Sequence, residues 1–179
     1  MNKMILISGY DVLGIGAIIS KVLFELNCIT CNFKIVTLTG FFSVLIEVKS
    51  DISEKNLEKE LKTNTDKFNL TIKVYKIEEE KNNISLKNDD WIPYKLNIIC
   101  NDQTKALYLF MKAIADLNIN IANLFCSQIG INDDNSYKIS LVLEVPITTS
   151  TKLLETNLNN LARELNMLID IHSVNDLEF

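Results

Sequence analysis

Residues Ser43–Val48 read S-V-L-I-E-V, and Ser140–Val145 read S-L-V-L-E-V, an offset of 97 positions. The offset persists through Leu57 and Leu154, Glu58 and Glu155, Leu61 and Leu158, and Asn69 and Asn166. Nearer the start, Leu26–Ile29 (L-N-C-I) lines up with Leu117–Asn120 (L-N-I-N) at an offset of 91, which also carries Asp11 onto Asp102. Self-similarity at a fixed period marks a repeated structural unit. A duplication with a single six-residue insertion, in a turn around Gly130–Ser136, accounts for both offsets.

Each copy reads strand, helix, strand, strand, helix, strand. In the first, Met4–Ser8 is a short apolar strand. Val12, Ile15, Ile19, Val22, Leu23 and Leu26 then recur at helical spacing. Ile29–Thr37 and Phe41–Val48 read as strands around a turn at Thr39-Gly40. Phe42, Val44, Ile46 and Val48 alternate with Ser43 and Glu47, the period of a half-buried strand. Ser53 is positioned to cap a helix whose Leu57, Leu61 and Phe68 face inward, and Leu70–Tyr75 closes the unit. The second copy repeats the order. Its strands are Tyr94–Cys100, Ile119–Ile131, Tyr137–Val145 and Leu168–Val174, and its helical stripes are Leu107, Phe110, Met111, Ile114, Leu117 and Leu154, Leu158, Leu161, Leu165.

This order predicts the α+β class: two ferredoxin-like βαββαβ domains, each an antiparallel sheet with two helices on one face. The domains are expected at 1–77 and 92–179, joined by a charged, asparagine-rich linker at 78–91. One bare sheet face and free edges are liabilities that disappear if two copies pack sheet to sheet or join edge to edge, and duplication supplies the second copy within the chain; a homodimer is also expected. Ile18, Phe24, Tyr108 and Leu109, apolar but off the main stripes, point to further burial.

Charge and composition exclude several functions. The 179 residues carry a net charge of −5 and a single arginine, Arg163. Nucleic-acid affinity leans on positive charge and bidentate arginine, so direct nucleic-acid binding is not expected. No stretch approaches the ~20 apolar residues of a membrane span, and the opening M-N-K-M-I-L-I-S-G is too short for a secretory core. A cytoplasmic location is expected.

The corner after the first strand, S-G-Y-D-V-L-G-I-G (Ser8–Gly16), carries the most chemistry. Its glycines allow a tight turn and close backbone approach, and the following helix N-terminus offers amides to an anion. Asp11 places a carboxylate beside them, suited to an ammonium group. Together they could clamp an amino acid; equally, Asp11 could merely cap the helix while Gly9 and Gly14 shape the turn. The spacing G-x-x-x-x-G occurs at Gly9–Gly14, but Ile15 stands where a phosphate loop has its lysine and the G-x-G-x-x-G spacing is absent, so the phosphate-loop reading is weak.

The loop G-Y-D-V-L-G-I, the amphipathic helix behind it, and L-N-C-I ahead of T-G-F-F-S-V-L-I-E-V resemble the ACT domain, whose signature runs G-x-D-x-P-G-I before a helix ending near x-N-I. Two such domains filling the chain resemble the family of glycine cleavage system transcriptional repressors. The resemblance implies a non-enzymatic regulator that senses a small molecule, typically an amino acid, and acts through a partner, a DNA-binding transcriptional activator. By position it makes Gly9, Asp11 and Gly14 ligand-binding candidates, with Asp102 in the matching place of the second copy and Asn120 matching the asparagine after the helix. The sequence departs from the signature at Leu13, in place of proline, at Ile29, in place of asparagine, and in the second copy, where C-N-D-Q-T-K-A-L lacks the glycine. A ligand-independent interaction module and a regulatory subunit of an amino-acid metabolic enzyme are the alternatives.

Other residues offer weaker chemistry. Cys28 and Cys31 spell C-x-x-C but begin a strand rather than a helix, so four reduced, mostly buried thiols are expected. His172 shares a strand face with Asp170, with no nucleophile fixed beside the pair. The acidic run Glu78–Glu80 reads as linker surface, and Trp91 as an anchor of the linker. No catalytic residue, metal site or cofactor is expected.

Overall fold

Phe42, Val44, Ile46 and Val48 are all fully buried, and the residues between them face the other side of their sheet, as the alternation predicts. The computed structural model describes residues 1–77, 91–129 and 136–174 and divides the chain into two units, Met1–Asn83 and Ile84–Phe179. The first contains β1 (Asn2–Tyr10), α1 (Ile15–Glu25), β2 (Ile29–Leu38), β3 (Phe41–Lys49), α2 (Glu54–Thr65) with a 3-10 turn at Asp66–Phe68, and β4 (Thr71–Lys76). The second contains β5 (Trp91–Cys100), α3 (Gln103–Asp116), β6 (Asn120–Gln128), β7 (Tyr137–Pro146), α4 (Thr151–Glu164) and β8 (Leu168–Ser173). The two antiparallel sheets run β2-β3-β1-β4 and β6-β7-β5-β8, the same topology twice. Most of the expected linker, including Glu78–Glu80, and positions 130–135 of the expected insertion lie outside the described residues. Trp91 is the first residue of β5, opposite Pro146.

The hydrogen-bond register corrects the insertion. Ile5 and Ile7 of β1 face Ile46 and Val44, whereas Leu96 and Ile98 of β5 face Leu141 and Ile139. Ile46 therefore corresponds to Leu141, an offset of 95, and the identity between S-V-L-I-E-V and S-L-V-L-E-V is out of register by two. The turn between β6 and β7 holds only four of the six extra residues. The other two lengthen β7 to pair with Trp91 and Ile92. From α2 onward the offset is 97 in the structure too: Ser53 and Ser150 both cap helices.

The repeated Leu-Asn pair is a helix stop. After α1, Asn27 N–H donates to the Phe24 carbonyl (3.0 Å) and Cys28 N–H to that of Leu23 (2.9 Å). After α3, Asn118 bonds Ala115 and Ile119 bonds Ile114; after α4, Asn166 bonds Arg163 and Met167 bonds Ala162. Each asparagine has a left-handed φ of 52–55°, the conformation that ends a Schellman motif and that asparagine tolerates best after glycine. Past the first two stops, β2 and β6 bulge at equivalent places, between Thr30 and Asn32 and between Ile121 and Asn123.

Each unit has its own core. Ile15, Ile19, Val22, Leu23, Leu57 and Leu61 cover β1 and β3 in the first; Ala106, Phe110, Ile114, Leu154, Leu158 and Ala162 cover β5 and β7 in the second. Helical spacing missed the alanines, which bury little area, and assigned Met111 inward where it is exposed. Phe24 and Tyr108 also remain exposed, and Phe68 is only partly buried. Lys3 is an unexpected core member, its amine buried and donating to the Ser50 carbonyl at 2.5 Å.

Candidate functional site

The two copies build their β-to-helix corners differently. In the second unit Asp102 caps α3: its Oδ1 accepts from Lys105 N–H at 2.9 Å, and its carbonyl accepts from Ala106 N–H at 3.0 Å. In the first, Asp11 does not cap. Gly14 stands at the N-cap with φ 84° and makes no side-chain cap bond, so α1 starts only at Ile15. Because Gly14 corresponds to Lys105, the turn that is helical in the second unit is unwound in the first. Capping by Asp11, one of the two readings the sequence left open, is thereby corrected.

Unwinding leaves a distinct local geometry. Asp11 N–H donates to the Gly40 carbonyl at 2.8 Å, tying the loop to the Thr39-Gly40 turn, where both residues have positive φ as a two-residue hairpin requires. The Asp11 carboxylate is exposed and accepts no hydrogen bond from the described residues. Ile15 N–H bonds the Val12 carbonyl and Ile18 N–H the Gly14 carbonyl, so the amides of Gly16 and Ala17 between them have no backbone acceptor among the described residues. The surroundings are apolar: Leu13, Leu38 and Phe41 are exposed, and Tyr10 meets Phe41 edge-on with ring centroids 5.7 Å apart. Gly9 is buried, and a Cβ there would lie 2.6 Å from Leu70 Cδ2, so its missing side chain serves packing.

Gly9, Asp11 and Gly14 thus come together at one corner, and Asp102 occupies the matching corner of the other unit. Asn120 does not join it. It sits near the far end of its sheet, opposite Glu144, which in turn faces Pro93, roughly 23 Å of strand from Cys100 at the corner end. Its amide donates to Glu144 Oε2 at 2.6 Å, as Asn32 donates to Glu47 at 2.7 Å in the first unit. The sequence reading missed Gly40 and the aromatic pair; the Thr-Gly turn was their only signal.

The other candidates resolve locally. Among the described residues no group of three or more His, Cys, Asp or Glu is placed to hold a metal ion. His172 Nδ1 lies 3.3 Å from Asp170 Oδ2; the Ser140 hydroxyl donates to Asn97 rather than to the imidazole. Of the cysteines only Cys100 is buried; Cys28 and Cys126 are intermediate and Cys31 is exposed, which corrects the expectation of mostly buried thiols. Burial, with help from the charges of Asp102 and Cys126, pushes the Cys100 thiol up from its ordinary value. A cavity of about 350 Å³ lies elsewhere, lined by Glu54, Lys55, Glu58, Lys59, Lys62, Thr63 and Val74. There the hydrogen bond from Lys62 (2.6 Å) holds the Glu58 carboxyl below the usual range.

The corners make unequal demands on stability. Asp102→Ala should cost about 1 kcal/mol, the usual value of a lost N-cap, whereas Asp11→Ala should be neutral. Urea denaturation of the two variants checks this; equal costs would mean that Asp11 also caps.

No known family profile matches the sequence, and no curated protein matches it. Solved structures do. A protein of unknown function from Galdieria sulphuraria is 16% identical, with 97% of this chain and 98% of that one covered at a TM-score of 0.81. A candidate glycine cleavage system transcriptional repressor is 15% identical, with 98% of each chain covered at a TM-score of 0.76. Identities this low speak for the fold alone, over the full length of both proteins. The chain has a tandem ACT-like fold: two ferredoxin-type domains, each a four-stranded antiparallel sheet with two helices.

Proposed function

We propose that the protein is a non-enzymatic regulator that binds an amino acid at the corner of its first unit and acts on transcription through a partner protein. The observation that carries this reading is the unwound turn at Gly14, which leaves the Asp11 carboxylate and the Gly16 and Ala17 amides, all within one loop and helix start, uncommitted among the described residues. A carboxylate suits the ammonium of an amino acid, and amides at a helix N-terminus suit its carboxylate. The apolar surroundings, Tyr10, Leu13, Leu38 and Phe41, favour a ligand with an apolar side chain over glycine. The net charge of −5 favours a protein partner over direct contact with DNA. The likeness to a candidate transcriptional repressor supports a regulatory setting, and the partner we propose is a DNA-binding activator.

A thermal-shift screen of the twenty amino acids tests the ligand. At least one should raise the melting temperature, and Asp11→Ala should abolish the rise without moving the unliganded midpoint. Ligand at a hundredfold excess over its dissociation constant stabilises by about 2.7 kcal/mol, a shift of several degrees. If none of the twenty moves the midpoint, the sensing role is wrong.

A further inference from the structure

We infer that the groove between α2 and β4 of the first unit is a docking site for an extended acidic segment of a partner protein. The cavity there, about 350 Å³, is lined by α2 side chains from Glu54 to Thr63 and by Val74 of β4. β4 is an edge strand, so the groove is open to one side. A small molecule held there would keep much of its surface in water, whereas small-molecule sites bury most of theirs. A strip of polypeptide can lie along it.

Charge says what kind of strip. Lys55, Lys59 and Lys62 stand at i, i+4 and i+7 on the groove side of α2, and Lys73 brings its amine within 3.8 Å of Glu58 Oε1 from β4. Glu58 is already committed: it accepts from Lys62 at 2.6 Å and from the Val74 amide at 3.4 Å. Lys55 and Lys59 have no side-chain hydrogen bond or ion pair among the described residues. Lys21 on α1 and Lys112 on α3, by contrast, pair with Glu25 and Asp116 one turn on. A lysine on an edge strand can simply deter strand pairing, which is a role open to Lys73. Lys55 and Lys59 are on the helix, where no edge needs guarding.

The second unit supplies an internal control. At the 97-residue offset Lys59, Lys62 and Lys73 are replaced by Thr156, Asn159 and Asp170, and only Lys55 keeps a lysine, Lys152. The same helix and strand thus carry four lysines in one copy and one in the other. More widely, residues 1–77 hold ten lysines against eight acidic residues, and residues 91–179 hold six basic residues against ten acidic. The positive charge of a net-acidic chain is gathered on one unit, and a groove lined by one sign of charge draws in the other.

Spacing sets the form of the partner. Lys55 and Lys59 are one helical turn apart, about 6 Å, and alternate residues of an extended chain stand about 6.6 Å apart on one face. Two acidic residues separated by one other therefore reach both ammonium groups. With no arginine, the groove lacks the bidentate fork that phosphate recognition favours, so carboxylates are the match.

This inference rests on the proposed action through a protein partner and not on the amino-acid site. A fluorescein-labelled octapeptide of alternating Glu and Ala should bind the full chain, read by anisotropy at about 20 mM salt, and should weaken steeply toward about 200 mM. Lys55→Glu and Lys59→Glu should each weaken binding at least tenfold with circular dichroism unchanged. Lys21→Glu, the same change of charge on α1, should alter it less than twofold, and Asp11→Ala should leave it as it is. Glu58→Gln, which releases Lys62 and Lys73, should tighten it at least threefold. No binding, an equal loss from Lys21→Glu, or tighter binding of a helical peptide with Glu at every fourth position would overturn the inference. A natural partner held equally by the wild type and by the Lys55→Glu, Lys59→Glu double variant would also remove the groove, while leaving action through a partner intact.

Discussion

Phe110→Ala should remove about 3–5 kcal/mol from the second unit, the range for truncating a buried phenylalanine. The ring is 1% exposed at the centre of α3 and packs within a core of aliphatic side chains from all four strands and α4. Truncation leaves a space among them, so a cavity term adds to the lost transfer energy. At roughly 0.05–0.15 kcal/mol per residue, a unit of half this chain has about 5–13 kcal/mol in total. The variant should therefore lose about a quarter or more of the unit's stability. Trp91, the only tryptophan, is the first residue of β5 in the same unit, so its fluorescence reports the transition directly. An unfolding free energy from urea denaturation within about 1 kcal/mol of the wild type would mean that α3 is not packed as described.

Phe42→Ala should cost a similar 3–5 kcal/mol in the first unit. Phe42 is fully buried and lies opposite Gly9 on β1 and Thr37 on β2, two residues after the turn whose Gly40 carbonyl holds the Asp11 amide. Its loss should speed hydrogen exchange of the β1 and β3 amides by 10²–10³-fold or more, since each 1.4 kcal/mol is a factor of ten. It should also abolish any ligand-induced rise in melting temperature, because the corner rests on this side chain. Phe42→Leu keeps most of the volume and should cost no more than about 1.5 kcal/mol. If the alanine variant exchanges like the wild type, the core at this end is looser than its burial indicates.

Topology was legible in the sequence because its signals were local. Alternation in Phe42–Val48 set a strand with one buried face, and the apolar stripe from Val12 to Leu26 set the helix before it. The register of the repeat was not legible, for a physical reason. A strand has a side-chain period of two, so sliding it by two residues returns every apolar group to the same face. The offsets of 95 and 97 are therefore equivalent to hydrophobic patterning, and only the pairing of Leu96 with Leu141 separates them. The candidate site shows the same division. Gly9, Asp11 and Gly14 could be listed from the loop, but whether Asp11 caps its helix depends on the sign of one backbone angle at Gly14. The exposure of β2 lay further out of reach, since Phe33 and Ile35 alternate like any core strand and only the placement of the helices leaves them bare.

The left-handed asparagines have a chemical consequence for so asparagine-rich a chain. Deamidation begins when the backbone nitrogen of the next residue attacks the side-chain amide and closes a succinimide ring. After Asn27, Asn118 and Asn166 that nitrogen is held in a hydrogen bond to a helix carbonyl, at 2.9, 3.2 and 2.8 Å respectively. The motif that ends each helix thus also shields its asparagine from ageing, and the shield lasts only as long as the helix end stays closed.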